Sequence, residues 1–299
     1  MLPFAYQVFS TVVAEGTFYR AALSLNVTPS AISHSVNQLE SALGFPVFQR
    51  SRSGATLTPN GQQILPIIQD ILNSESRLEQ EAANIQGLTT GAIRIGAFSS
   101  VCINWLPPII RAFHKSYPNV DISVTQGGFN RIVQEVKNGT LDIGFVALPI
   151  SENLIVNNLV KDEIYCIAPR EFTPANGQTV TQADMADKSF ILQPGDYDRD
   201  TKAALDHYNI APNAIQFSID DQSIIAMVEA GLGFGILPKL ALEKMTGNVA
   251  IYPFDTPFYR SLGLVTSSVQ AKTPSTRHMI SEIQAFVTQQ YPSAVLRLD

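Results

Sequence analysis

A row of short polar side chains follows Thr28 and Pro29 and has the spacing of one helix face. The row contains hydroxyl, imidazole and amide groups, namely Ser30, Ser33, His34, Asn37 and Ser41. A helix face that serves only solubility usually carries Glu and Lys, because these residues are better helix formers. Short hydroxyl and amide side chains instead allow close approach to phosphates and to base edges. The row therefore predicts a DNA-reading face, and the alternative is an ordinary amphipathic hairpin inside a globular domain.

Two short helices would position this face. The first is indicated by apolar residues at helical spacing after Thr17: Phe18, Ala21, Ala22 and Leu25. After a break at residues 26–27, Thr28 offers an N-cap hydroxyl and Pro29 a favoured first helical residue. The second helix has its own apolar stripe: Ile32, Val36, Leu39 and Leu43. Gly44 suits the end of that helix, so the segment is typical of a helix-turn-helix.

A basic turn follows the two helices. Residues 45–48 and 55–57 are predicted as short strands, and residues 49–54 as the turn of a wing. Arginines on this turn would reach phosphates or the minor groove, unless the turn is simply a solvated basic loop. The residues predicted to contact DNA are Thr28, Pro29, Ser30, Ser33, His34, Asn37, Arg50 and Arg52.

A long helix is predicted from Pro59 to about Gln86, with Gly87 at its end. Large aliphatic residues recur along it every seven positions: Ile64, Ile71, Leu78 and Ile85. This spacing is typical of a coiled-coil seam that joins two copies of a chain, and a helix packed on its own domain is the alternative. Pro66 should kink the first turns or mark a bend. Residues 88–91 are the predicted hinge.

Beyond Gly91 the chain alternates strand-like and helical apolar runs, which predicts an α/β unit with a mostly parallel sheet covered by helices. The predicted strands are residues 93–97, 121–126, 142–147, 163–169, 190–192, 214–218, 234–237 and 261–267. The predicted helices are residues 103–117, 132–138, 201–208, 224–230 and 274–290.

Ligands of such sheets bind beyond the carboxyl ends of strands, often at helix N-termini. Ser99 and Ser100 follow the first strand and would form an anion cradle there, whereas simple helix capping would need only one of them. A small carboxylate is the ligand class that this cradle suggests. Weaker candidates for the same cleft, each compatible with ordinary turn chemistry, are Phe129, Leu148, Pro149, Gln193 and Arg199.

Composition narrows the class of protein. Net charge is −6 at pH 7, and 45% hydrophobic content argues against disorder. Residues 1–59 carry three arginines and two glutamates, so the predicted DNA-binding segment is near +1 and would make few phosphate contacts. Adequate affinity would then need a second copy on the DNA. With two cysteines, no secretory signal and no run of roughly 18 apolar residues, we expect a cytoplasmic protein without membrane contact or a disulfide framework.

Motifs for catalysis or metal binding are weak. The glycines within residues 231–235 stand after a predicted helix and before a strand, the reverse of a phosphate-binding loop. Asp220 and Asp221 would cap a helix rather than form a carboxylate dyad. The four histidines have no metal-ligand spacing, and no serine lies in a Gly-x-Ser-x-Gly elbow. We therefore expect neither an enzyme nor a metal or cofactor.

The chain resembles LysR-type transcriptional regulators over nearly its whole length. In the N-terminal part the matching positions are 15–18, 21–22, 25, 30–33, 39–40, 43–44, 47–48, 50 and 57–61. Positions resembling the effector domain of that family are 91–96, 117–118, 139–142, 231–233 and 237–238. The resemblance implies three parts: a winged helix-turn-helix at residues 1–58, a dimerising linker helix at 59–88, and a two-lobed α/β effector domain like a periplasmic binding protein at 91–299.

The resemblance also implies details of that effector domain. Lobe one would comprise residues 91–161 and 267–299, and lobe two residues 162–266. The chain would cross between the lobes near residues 161–162 and 265–266. The family commonly uses the position of Ser99 and Ser100 for its ligand.

Two departures fall on the reading helix. Many family members have glutamine at the position of Pro29 and arginine at that of His34, so the operator sequence cannot be transferred from relatives. The implied function is a sequence-specific transcriptional regulator whose cleft senses a small molecule and alters promoter binding or bending. The implied partners are double-stranded promoter DNA, a small-molecule effector, other copies of the chain in a homodimer and homotetramer, and RNA polymerase. A solute-binding protein of the periplasmic type is the alternative, although it would account for neither the helix-turn-helix nor the long helix.

Overall fold

The computed structural model of the 299-residue chain describes residues 3–51, 54–85, 90–192, 199–210, 214–216, 220–244 and 246–292. An N-terminal unit of helices with a two-stranded wing is followed by one long helix. A larger C-terminal unit is built on a six-stranded sheet.

Three helices and the wing make up the N-terminal unit: α1 Pro3–Glu15, α2 Phe18–Ser24, α3 Pro29–Leu43, β1 Phe48–Ser51 and β2 Gly54–Leu57. The Thr28 hydroxyl caps α3, and Gly44 ends it in the left-handed region at φ 81°, as the sequence predicts. Phe9, Ile32 and Val36 are fully buried in the single core cluster that these elements share. The predicted helix-turn-helix is therefore confirmed.

The wing begins later than predicted. Its first strand is Phe48–Ser51, whereas the sequence pattern predicts residues 45–48. Pro46 has no N–H for a strand ladder, and the N–H of Val47 donates to Glu40 Oε1 at 2.8 Å instead of to a strand partner. Part of the predicted turn therefore belongs to β1, which pairs antiparallel with β2.

The long helix α4 spans Pro59–Ile85, and its 27 residues extend about 40 Å. It continues as one helix through Pro66. Residues 86–89, with the predicted stop Gly87 and half of the predicted hinge, lie outside the described part of the chain. Three heptad residues are substantially exposed: Ile71 at 44%, Leu78 at 70% and Ile85 at 87%. Three polar residues of another face are buried: Gln69, Asn73 and Gln80. The first turns of the helix pack Leu65 and Ile68 into the N-terminal core. Beyond them the helix contacts its own chain through a polar face and leaves these heptad residues open.

The C-terminal unit contains eight further helices and eight further strands among its described residues. The strands are β3 Gly91–Ala97, β4 Val120–Gln126, β5 Ile143–Leu148, β6 Ile155–Pro169, β7 Phe190–Leu192, β8 Ala214–Gln216, β9 Gly235–Pro238 and β10 Val249–Thr266. The helices are α5 Ser99–Asn104, α6 Leu106–Ser116, α7 Phe129–Lys137, α8 Gln182–Met185, α9 Arg199–His207, α10 Asp221–Glu229, α11 Lys239–Leu242 and α12 Pro274–Gln290. A short 3-10 turn, Gln270–Lys272, precedes α12.

The helix predicted at residues 103–117 is two helices, α5 and α6, which meet at Trp105. Pro107 and Pro108 suit the first turn of a new helix, where no N–H is needed, but would break the interior of a longer one. The helical path therefore restarts before them. As a result, α5 begins directly after β3 and carries Ser99 and Ser100 in its first turn.

The sheet is mixed, so the prediction of a mostly parallel sheet is wrong. Its strand order is β4-β3-β5-β10-β6-β9. β3 pairs in parallel with β4 and β5, whereas β10 pairs antiparallel with β5 and β6, and β6 antiparallel with β9. β6 has 15 residues and β10 has 18, and both begin well before the predicted starts at residues 163 and 261. Strand-helix alternation signals parallel pairing only for strands joined by crossover helices, and these two long strands pair with each other.

β6 and β10 run from one core cluster to another. Val160 and Leu262 belong to the cluster around β3, whereas Ile164 and Phe254 belong to a second cluster. The two strands therefore pass between the clusters side by side, where Arg260 is paired in register with Asp162. The predicted second crossing at residues 265–266 instead lies alongside β5 and the start of β6.

Candidate nucleic-acid interface and ligand cleft

The outer face of α3 carries the predicted DNA-contacting side chains. Thr28, Pro29, Ser30, His34 and Asn37 are exposed and Ser33 is half-buried. Residues of the opposite face, Ile32, Val36 and Leu39, are at most 1% exposed. The apolar stripe thus fixes the rotation of α3 about its axis, and the polar row points away from the core.

Hydroxyl groups surround the N-terminus of α3. Thr28 Oγ1 accepts the N–H of Ala31 at 3.2 Å and shares a hydrogen bond of 2.9 Å with Ser30 Oγ. The first backbone N–H groups of a helix have no acceptors within the helix, and the helix dipole favours negative charge there. This end of α3 can therefore bind a DNA phosphate. Pro29 contributes no N–H donor to such a phosphate and occupies the start of the helix.

His34 is bonded to Gln38, a side chain that sequence reasoning did not include. Their Nε2 atoms lie 3.0 Å apart, one turn along the exposed face. Gln38 can read a base edge through its amide. Its position four residues after His34 was the available signal, since that spacing places two residues on the same face.

Arg50 lies against the reading helix rather than at the tip of the wing. It belongs to β1, and its Nη2 donates to Asn37 Oδ1 at 2.8 Å. The guanidinium carbon is 4.5 Å from the centroid of the Phe18 ring. Arginine stacks on aromatic rings through its planar guanidinium, so both contacts orient the group along the face of α3. Arg52, the other predicted wing arginine, lies outside the described residues.

Backbone contacts hold the wing to the helices. Glu40 Oε1 accepts the N–H of Val47 at 2.8 Å and that of Phe48 at 3.2 Å. On the second strand, the N–H of Ala55 donates to the carbonyl of Gly16 at 2.8 Å. The wing, whose first strand carries Arg50, is therefore held to α3 through Glu40 and to the turn between α1 and α2 through Ala55.

A buried ion pair lies where β6 and β10 pass between the two core clusters. Arg260 Nε donates to Asp162 Oδ2 at 2.9 Å, and the two residues are 5% and 6% exposed. Asp162 Oδ1 also accepts the N–H of Leu240 at 3.0 Å. A buried pair persists only when further hydrogen bonds satisfy its charges. Asp162 is therefore held in place by α11 as well as by Arg260 of β10.

Ser100 joins this ion pair. Its hydroxyl accepts from Arg260 Nη2 at 3.2 Å, and the residue is 1% exposed. The guanidinium carbon of Arg260 lies 5.0 Å from the centroid of the Phe98 ring, and that ring lies 4.8 Å from the ring of Phe129. The structure thus brings two predicted cleft residues, Ser100 and Phe129, around an arginine with an aromatic wall.

Neither predicted serine serves as the helix cap. The N-cap position of α5 is Phe98, which makes no side-chain capping bond. Ser99 is half-buried beside Ser100 in the first turn. Helix capping therefore does not explain why two serines stand at this strand end, and the hydroxyl of Ser100 is used by Arg260 instead.

The remaining predicted cleft residues differ in where they lie and in whether the structure describes them. Leu148 ends β5, is half-buried and packs over Gly263, whereas Pro149 is exposed after a cis peptide bond. Gln193 lies outside the described residues. Arg199 begins α9, but its side chain is also outside them.

Arg260 is the functional candidate that sequence reasoning missed. The predicted strand began at Ser261, which left Arg260 in an unassigned connection. Its signal was a single basic residue directly before an apolar strand, where a buried charge needs a partner. Neither partner could be identified, since Asp162 and Ser100 are 98 and 160 residues away in sequence.

A separate pocket lies beside the same passage. Aromatic walls are provided by Trp105, Tyr259 and Tyr291, and charged groups at its edge include Lys161 and Lys239. Tyr291 Oη lies 3.1 Å from Trp105 Nε1 and 2.8 Å from both carboxylate oxygens of Glu243. Burial and this carboxylate raise the pKa of the Tyr291 hydroxyl. None of the predicted cleft residues is in the described lining, but Asp162, the partner of Arg260, is, so this pocket adjoins the Ser100–Arg260 site.

The thiols, possible metal ligands and helices add three observations. Burial raises the pKa of the Cys102 thiol, and burial together with Asp184 raises that of Cys166 to about 12. Among the described residues, no three His, Cys, Asp or Glu side chains are grouped so as to hold a metal ion. Across the same described ranges, none of the helices combines the length and apolar character required to span a bilayer.

Comparison with protein families finds one matching family model for the N-terminal unit and one for the C-terminal unit. Residues 5–62 match the model described as bacterial regulatory helix-turn-helix protein, lysR family, and residues 86–287 match the LysR substrate binding domain. The chain belongs to the LysR family. As a LysR-type protein it is a DNA-binding transcriptional regulator with an effector-binding domain, and the family consists of regulators rather than enzymes.

Individual relatives cover almost the whole LysR-type chain. A probable transcriptional regulator, LrrA of Synechococcus elongatus, is 31% identical over 272 residues, 90% of this chain and 92% of its own. A full-length OxyR variant of Pseudomonas aeruginosa has the same fold, with a TM-score of 0.79, 22% identity and coverage of 100% and 99% of the two chains. Full-length CbnR complexed with its target DNA has a TM-score of 0.64 and 20% identity, with coverage of 95% and 99%.

Proposed function

We propose that this LysR-type regulator reads promoter DNA with α3 and Arg50, and that a small carboxylate bound beside Arg260 changes how the protein holds that DNA. The observation that carries the ligand class is the buried guanidinium of Arg260, which is paired with Asp162 and also meets the Ser100 hydroxyl at the passage between the two core clusters. Arginine binds carboxylates through parallel N–H donors.

The surroundings of Arg260 favour a carboxylate with an apolar body. Phe98 and Phe129 offer aromatic surface next to the guanidinium and to the serine hydroxyls. Ligand sites of this kind are mostly apolar, with a few polar groups that fix orientation. A ligand between β3 and the β6–β10 passage would contact both core clusters, so its binding would favour one relative arrangement of them.

DNA recognition requires more than one copy of the N-terminal unit, which is called the reading head below. The segment up to Pro59 is near +1, so one head makes few phosphate contacts. The exposed heptad residues of α4, Ile71, Leu78 and Ile85, supply an apolar seam for a second copy of the chain. A homodimer formed through α4 would place two heads on successive half-sites.

The larger assembly follows the family pattern. We expect two such dimers to form a homotetramer through effector-domain contacts, and the protein to act in the cytoplasm beside RNA polymerase. The effector would shift the population between two arrangements that differ in half-site spacing and DNA bending. Such a shift requires different effector affinities for the two arrangements.

Fluorescence anisotropy with the promoter fragment beside the protein's own gene tests DNA reading. An unrelated fragment of equal length is the control, and the salt concentration is varied because phosphate contacts are salt-dependent. We expect at least a hundredfold preference for the promoter fragment. Equal affinity for both fragments would contradict sequence-specific reading.

Calorimetric titration of the full-length protein tests the ligand class. A panel of small carboxylates is compared with the neutral amide of each acid, which keeps the shape and removes the charge. We expect heat of binding from at least one acid and none from its amide, and loss of that signal in Ser100→Ala. Ser268→Ala, on an exposed serine, is the matched control and should bind normally. Equal binding of an acid and its amide would contradict the proposal that the ligand is a carboxylate.

A further inference from the structure

The buried polar face of α4 forms a seam with the effector domain. The seam is defined by Gln69, Asn73 and Gln80, which are 3%, 4% and 4% exposed. Amide side chains are rarely buried to this extent. Each of them has partners outside its own helix or bonds to a neighbour that does, so the seam is a specific contact between two parts of the chain.

Asn73 lies at the centre of the seam. Its Nδ2 donates to the carbonyl of Gly139 at 3.1 Å, and its Oδ1 accepts from Arg94 Nη2 at 2.8 Å. Arg94 is paired in turn with Asp142, which is 2% exposed. One amide of the linker helix therefore bonds to the loop after α7 and, through Arg94 and Asp142, to the start of β5.

Close approach at the seam depends on two glycines. A Cβ at Gly139 would lie 2.8 Å from Gln69 Cγ, and one at Gly91 would lie 2.6 Å from Gln80 Cδ. At the same end of the seam, Gln80 Oε1 accepts from Ser275 Oγ at 2.7 Å. The helix therefore fits the effector domain at both ends of the seam.

The seam also connects the reading head with the strand that carries Arg260. On the head side, Ser10 Oγ of α1 donates to Gln69 Oε1 at 3.0 Å. On the domain side, Thr266 Oγ1 donates to the carbonyl of Asp142 at 2.7 Å. Thr266 is the last residue of β10, so contacts run from the cleft strand through the seam to α1.

Polar composition favours a reversible contact. Amide groups that leave the seam exchange their protein partners for water, so each hydrogen bond lost there has a small net cost. A helix fixed permanently on its domain would bury an apolar stripe. In α4 the apolar stripe faces away from the effector domain and stays free for a second copy.

We propose that α4 is a releasable clamp, which holds the reading head at a fixed position when the seam is closed and frees it when the seam opens. Cleft occupancy biases the two states through β10. The inference rests on the proposed function for its role in DNA reading, but the opening of the seam itself is measurable without DNA or effector.

Hydrogen-exchange mass spectrometry of the full-length protein tests the seam directly. In Gln80→Leu we expect at least tenfold faster amide exchange in residues 64–80 and 274–280, the segments that contain Gln80 and its partner Ser275. The matched control Gln63→Leu makes the same change at an exposed position of α4 and should leave both segments unchanged. Exchange in residues 164–168, which lie in the second core cluster away from the seam, should not change in either variant. This reference separates seam opening from loss of fold. Unchanged exchange in residues 64–80 and 274–280 in both Gln80→Leu and a second variant, Asn73→Leu, would overturn the clamp.

Its role in DNA reading is tested with DNA selected from a random pool by the wild-type protein. The selected half-sites are then rebuilt with different spacings. We expect the wild type to prefer one spacing at least tenfold, and Gln80→Leu and Asn73→Leu to reduce this preference below threefold while their preference among half-site sequences stays unchanged. An undiminished spacing preference in these variants would overturn the coupling. If the wild type selects no sequence at all, the proposed function fails, while the exchange experiment still decides whether the seam opens.

Discussion

The proposed DNA-reading face and the proposed ligand cleft use similar polar groups in opposite ways. On α3 the polar side chains are exposed and bond to neighbours 3, 4 and 13 residues away. In the cleft, Ser100, Asp162 and Arg260 are buried and bond across 98 and 160 residues. A face that meets a large, hydrated partner can keep its water until binding. A small ligand offers few contacts, so its site must be desolvated and oriented beforehand.

The comparison predicts that the cleft depends on its polar pairs for folding far more than the head does. Asp162→Ala would leave the Arg260 guanidinium buried without its carboxylate and should lower the free energy of unfolding by about 3–5 kcal/mol. Trp105 is the chain's single tryptophan and lies in the effector domain, so chemical denaturation followed by its fluorescence reports this loss. Asp121→Ala, at an exposed carboxylate, should change stability by less than about 0.5 kcal/mol. Similar effects of the two substitutions would remove the distinction between cleft and surface.

One polar side chain of the reading head, that of Glu40, has a structural role like that of the polar side chains in the cleft. Glu40→Ala would leave the N–H groups of Val47 and Phe48 without their acceptor and should destabilise the wing and α3 by roughly 1–3 kcal/mol. Faster hydrogen exchange of these two amides would measure the effect. Glu40→Gln keeps a side-chain oxygen acceptor and should restore most of the protection. If Glu40→Gln loses as much protection as Glu40→Ala, the acceptor role is excluded.

The head could be predicted from sequence because its order is local. Helical periodicity and one cap placed Ser30 and Asn37 on the exposed face within a single element. Arg260 could not be predicted in the same way, since its position depends on how β10 pairs with β6, and no local pattern encodes that register. The buried amides of α4 were missed for a related reason: the seven-residue apolar repeat identified one face of the helix, whereas the polar face acquires its meaning only from contact with Arg94 and Ser275.

Arg50 provides a test within the reading face itself. Because Asn37 and Phe18 orient its guanidinium along α3, Arg50→Ala should cost roughly 1–3 kcal/mol of discrimination between specific and random DNA. Arg52→Ala should instead weaken binding to both DNAs equally, as expected for a phosphate contact. Anisotropy titrations with the two DNAs at one salt concentration separate these outcomes. Adding Asn37→Ala to Arg50→Ala should cost less than the sum of the two single losses, since the side chains act as a pair. Full additivity would show that they contact DNA independently.

The smallest expected effect concerns Cys166, which lies in the second core cluster. Burial raises the pKa of the Cys166 thiol from 9.0 to about 12, so the folded protein keeps this proton after the unfolded chain has lost it. The stabilisation from the neutral thiol is complete below pH 9 and is lost as the pH rises from 9 through 12. At pH 10 the loss is about 1.4 kcal/mol, from the linkage between proton binding and folding. Cys166→Ala should lose less stability between pH 8 and pH 10 than the wild type, by about this amount, in denaturation followed by Trp105 fluorescence. Parallel losses in the two proteins would mean that the thiol ionises equally easily in the folded and unfolded chains, and that this part of the effector domain is open to water.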